Sequence, residues 1–130
     1  MAQMVKSVSY NAHESDVLLN PDNAFEIGVQ VTNTGISADA EGRKIIKAGT
    51  PVGGDTSVLK TRNTVLVSTN TSSNGAKAQG VLRHDVDVTN GQANATLIVR
   101  GEVDSSKCPT IAAEAESALA HIIFVNGGTY

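Results

Sequence analysis

The chain has 130 residues, enough for one domain with a single modest core, and contains no Trp, two Phe and two Tyr. Its net charge is −3 and its basic residues are scattered singly, so a nucleic-acid backbone finds no electrostatic anchor. With Cys108 as the one cysteine there is no intrachain disulfide, and no apolar run approaches a membrane span.

The opening stretch, MAQMVKSVSY, lacks the apolar centre of a signal peptide, which makes synthesis and assembly in a cytoplasm the default expectation. Residues 1–23 are polar and show no helical period. They read as a flexible N-terminal arm ahead of a β-rich domain over 24–130. In AFEIGVQVTN the apolar residues alternate, which predicts a strand over 24–32 with Phe25, Ile27, Val29 and Val31 on one face. TGISADAEG is a loop. RKIIKAGTPVGG reads as a short strand ending in a Gly/Pro turn, and SVLKTRNTVLVSTN as further short extended segments. TSSNGAK is another loop, with a turn signal at Asn74-Gly75.

The most ordered pattern lies between residues 76 and 104. Asn90-Gly91 suits a type I′ turn and separates two β-branched runs, which predicts a hairpin pairing Thr89 with Gln92 and, further back, Val81 with Arg100. That register puts Leu82, His84, Val86 and Val88 on one apolar face with Val99, Leu97, Ala95 and Ala93. Arg83, Asp85 and Asp87 then face the other way, beside Ile98, Thr96 and Asn94. His84 and the two aspartates therefore cannot share a metal ion. His84 reads as a core or interface residue, and the aspartates as a solvated face with Arg83 or Arg100 as partner. Beyond GEVDSSKCP the period changes. Ile111, Ala115, Ala118, Leu119 and Ile122 share one side of a short helix, with Pro109 suited to its first turn, and HIIFVNGG reads as a closing strand.

Three stretches invite a catalytic reading and do not carry one. GTPVGGDT has the spacing of a phosphate loop, but Asp55 stands where the lysine belongs and Pro51 removes a backbone donor. HESD, residues 13–16, offers triad residue types with no rigid scaffold to converge them. Cys108 and His121 lie thirteen residues apart without a nucleophile motif. No enzyme activity, cofactor or small-molecule substrate is expected.

The order KIIKAGTPVGG…AQGVLRHDVDVTNGQANATLIVRGEVD, then an Ala-rich helix and HIIFVNG, resembles the head decoration proteins of tailed bacteriophages. More loosely it resembles phage head-fibre proteins. The likeness covers residues 43–125 and consists of β pattern and glycine placement. It implies a compact fold of the β-clip or β-tulip kind and a homotrimer on the outer surface of an expanded head, at three-fold positions. The partner would be the major capsid protein, and the role would be to hold it against internal DNA pressure. An N-terminal arm that adds a strand to a capsid sheet edge would make Val5, Lys6, Val8 and Tyr10 capsid-binding residues. A surface adhesin or head-fibre base module is the alternative, against which stands the near absence of aromatic platforms for sugar stacking.

Overall fold

The computed structural model describes residues 17–126. Eight strands appear in chain order: β1 (Phe25–Val31), β2 (Ile45–Ile46), β3 (Pro51–Gly53), β4 (Val65–Ser68), β5 (Ala78–Leu82), β6 (Val86–Asp87), β7 (Ala93–Asp104) and β8 (Ile122–Val125). One short helix, α1 (Ala113–Ala118), lies between β7 and β8. The main sheet runs β1-β4-β3-β5-β7-β8, and a further pairing of β1 with β7 closes its first five strands into a barrel. All barrel pairings are antiparallel except β1 with β4. The architecture is thus a mixed five-strand barrel with extra strands and one short C-terminal helix.

The apolar residues divide into two cores on opposite sides of the barrel wall. Inside, Val31, Val52, Val58, Leu66, Leu82 and Leu97 are fully buried, and Ile46 and Val86 from the β2–β6 pair join them with Val88, which follows β6. Outside, Val81, Ile98 and Val103 turn outward and are covered by Ala115, Leu119 and Ile122 of the α1–β8 unit. Adjacent residues of one strand, Leu97 and Ile98, are each at 0 % exposure because each face of β7 has its own cover. At roughly 1.5–3 kcal/mol per buried aliphatic side chain, both layers matter to stability.

Val17 and Leu18 belong to the outer core at 1 % and 2 % exposure. Leu18 bridges Val103, Leu19 N–H donates to Glu102 O, and Asp104 N–H donates to Val17 O. The domain therefore takes in residues 17–23, and the expected boundary at 23/24 falls too late. The polar stretch Asn20–Asn23, with its Pro21–Asn23 turn, concealed two anchoring residues before it.

The expected hairpin forms in part and is corrected in three respects. β5 pairs with β7 in the register Val81 to Ile98 and Leu82 to Leu97, two residues from the expected one. After Leu82 the chain bends through residues 83–85, and β6 pairs with β2 instead of β7. Gly91 N–H donates to Val88 O at 3.0 Å and Gly91 alone of the central dipeptide has positive φ (+114), so the turn is not type I′. His84 sits on the bend and is exposed, not a core histidine. The physical reason is that alternation ends where the ladder ends. Leu82, Val86 and Leu97 are buried, and Val99 is half-buried.

Two glycines let the layers approach. A Cβ on Gly80 would lie 2.5 Å from Ile98 O, and one on Gly75 would lie 2.6 Å from Ala115 N. KIIKAGTPVGG resolves into two strands, β2 and β3, with Gly49 at φ +87 between them. Its proline opens β3, a position that asks nothing of the missing N–H.

Candidate interaction surface

The described residues contain no group of three or more His, Cys, Asp or Glu able to hold a metal ion. Asp85 accepts from Ala48 N–H at 2.7 Å and lies 4.0 Å from Lys47 Nζ. Asp87 is held by the Thr89 hydroxyl and N–H, and these hydrogen bonds keep its carboxyl below the usual range. Neither aspartate takes Arg83 or Arg100 as partner. Arg83 instead grips both carboxylate oxygens of Glu26, at 2.9 and 2.8 Å, across the barrel wall. Asp55 pairs with Lys77 at 2.7 Å.

Cys108 is equally structural. Its thiol donates to Asp104 O at 3.3 Å, and burial, followed by the Asp104 charge, pushes it up to about 11. Such a thiol stays protonated at neutral pH. Asp104 itself is 3 % exposed and accepts from Ser106 N–H and the Ser106 hydroxyl, capping the Ser105–Lys107 turn.

What the surface does offer is an apolar cleft of about 230 Å³ lined by Phe25, Leu59, Val99, Arg100 and His121. A second cleft of about 170 Å³ shares Leu59, Val99 and His121 with it, so the two form one band. Each part has a local cause. The pairing of β1 with β7 slips between Phe25 and Glu26, from Phe25–Arg100 to Glu26–Ile98, leaving Val99 as the extra residue. Such a bulge re-aims side chains, and Phe25 emerges at 45 % exposure instead of sharing the inward face of Val29 and Val31. Leu59 is 50 % exposed on the loop before β4, beside Val58, which is fully buried. Gln79 clamps that loop, accepting from Val58 N–H at 2.8 Å and donating to Thr56 O at 2.8 Å. His121 enters from the turn before β8, where its carbonyl accepts from Gly101 N–H at 3.2 Å.

Phe25 and Leu59, two of the four large apolar side chains exposed among the described residues, thus meet at one cleft. Sequence reading missed this band, because neither the bulge nor the loop clamp leaves a periodic signature. It placed Phe25 and Val99 on apolar strand faces, Arg100 beside the aspartates and His121 with Cys108, and brought none of them together here. The expected capsid-binding residues Val5, Lys6, Val8 and Tyr10 lie outside the described residues, as does HESD.

No protein-family model matches this sequence, and a search of curated proteins finds no match either.

Proposed function

We propose that this chain is a structural decoration protein of a tailed-phage head, binding the outer surface of the major capsid protein as a homotrimer at three-fold positions. Three stretches carry the sequence resemblance: KAGTPV, GVLRHDVDVT and ANATLIVRGEV. They supply β3, β5, β6 and β7, and a barrel of the β-clip or β-tulip kind is the finer fold this reading entails. The observation that carries the proposal is the apolar band around Phe25, Leu59 and Val99. A head-to-tail ring needs such a patch to meet a different surface of its neighbour, and closure at three copies buries every patch. Three linked attachments then turn weak contacts with the capsid into firm ones.

The test is to add purified protein to expanded heads that lack it and to image them by electron microscopy. Density at three-fold positions, with added resistance of the heads to heat, is the expected result. Absence of binding to expanded heads refutes the proposal, and one copy per vertex or tail favours the adhesin or fibre-base reading.

A further inference from the structure

Strand β8 ends the sheet order, and its phase against β7 is fixed by the bond from Gly101 N–H to His121 O. In the parallel ladder that pairs Gly101 with Ile122 and Val103 with Phe124, residues 121, 123 and 125 turn their main chain toward β7. Ile122 and Phe124 turn theirs away. Ile122 N–H is taken by Leu119 O at 3.2 Å, whereas the N–H and C=O of Phe124 have no partner among the described residues. Edge strands are ordinarily blunted by lysine, proline, a bulge or an inward charge. Ile122–Val125 has none of these, and Ile123 is the most exposed large apolar side chain of the described residues at 58 %.

We infer that this edge pairs with the same edge of a second copy, antiparallel and centred on Phe124. A residue whose donor and acceptor both face outward is completed by a two-fold copy of itself, which exchanges both bonds. The same register sets Ile123 opposite Val125 of the second copy, twice, joining apolar side chains on the outer face. Charge permits it. The run is neutral, and Glu102, beside Ile123, lies in line with the second copy's Asp104, beside Val125, only across three strand spacings, roughly 14 Å, where physiological salt screens the repulsion. Area limits it. A strand pair of four residues covers far less than the roughly 1,200 Å² of a stable interface, so free protein associates weakly and the contact forms where copies are crowded side by side. The inference does not rest on the decoration reading, since it concerns a different surface from the Phe25 cleft and is tested on purified protein alone.

The full chain carrying both Ile123→Cys and Val125→Cys is oxidised gently at high concentration, and the products are mapped by mass spectrometry. The expected product is a covalent dimer bridged between positions 123 and 125, with little dimer from either single variant. Separately, Ile123→Lys, placed in a Leu59→Asp background, should abolish the concentration-dependent rise in mass that Leu59→Asp alone leaves in sedimentation, while leaving the melting temperature unchanged. A folded double variant that yields no dimer overturns the inference. So does a dimer formed equally well by Ile123→Cys alone, which places that residue opposite itself in another register.

Discussion

Replacing Ile98 by alanine tests the architecture where it departs most from the sequence pattern. Alternation along Ala93–Val99 assigns Ile98 to a polar face, where truncation costs within about 0.5 kcal/mol. In the structure Ile98 is at 0 % exposure, packed in the outer core with Val81, Val103 and the α1–β8 unit. Truncation there removes transfer free energy and leaves a cavity, together about 2–5 kcal/mol for a buried isoleucine. Leu97→Ala, its neighbour on the inner face, should cost a similar amount, and Ile123→Ala, at 58 % exposure, almost nothing. For a domain of this size about 3 kcal/mol corresponds to a fall of roughly 12 °C in melting temperature. Urea titration followed by circular dichroism should show a lower midpoint for Ile98→Ala with an unchanged slope. If Ile98→Ala melts within about 2 °C of wild type while Leu97→Ala is crippled, the barrel has one core and the outer layer is loosely held.

Gly80→Ala should destabilise by several kcal/mol, because its Cβ would stand 2.5 Å from a backbone oxygen; a melting curve like wild type would mean that β5 and β7 lie further apart. Leu59→Asp should leave the melting temperature of the folded chain unchanged, since the side chain is 50 % exposed, yet on the proposed ring it should weaken self-association, read as a lower mass by light scattering or as lost occupancy on expanded heads. Cys108 should react with thiol reagents at pH 8 far more slowly in the folded chain than in urea. Its proton is held more tightly in the folded state, to about 11 against 9.0 in the reference state. The contribution of this group is therefore complete below pH 9 and is lost as pH rises toward 11. A Cys108→Ala variant with the same alkaline slope as wild type would remove that assignment.

How far the sequence could be read follows from which features are local. β1 was visible because Ile27, Val29 and Val31 alternate over a continuous ladder with β7. α1 and β8 were visible because the period changes once and the turn before Ile122 is short. The β5–β7 pairing was half visible. Two apolar runs around Asn90-Gly91 announced a hairpin, but β2 captured β6 at Ile45–Ile46, and no local signal reports a competing strand forty residues away. Alternation carried across the bend at 83–85 puts His84 on the apolar face as a core or interface residue, whereas the bend leaves it exposed. The interaction surface was illegible for a related reason. Phe25 fits the inward pattern of its strand, and only a slipped pairing with a strand seventy residues on turns it outward.

These errors share a cause that bears on function. Each arises where one strand serves two neighbours: β7 is held by β1 and β5 along its first part and by β8 and residues 17–19 along its second. Gly101, at φ +154 and close against Ala24, marks the change of partners. A strand shared in this way ties the barrel to the outer layer, so load applied to the α1–β8 unit passes into the barrel through continuous main chain and not through side-chain contact alone. The Phe25 cleft lies beside this junction, at the slip in the β1–β7 ladder, and the open edge of β8 lies just beyond it. Both candidate contact surfaces therefore lie beside β7, the strand that joins the barrel to the outer layer. A part that must keep its shape while its neighbours pull on it gains from that placement, because a contact made there strains the most cross-linked strand of the fold and not a loop.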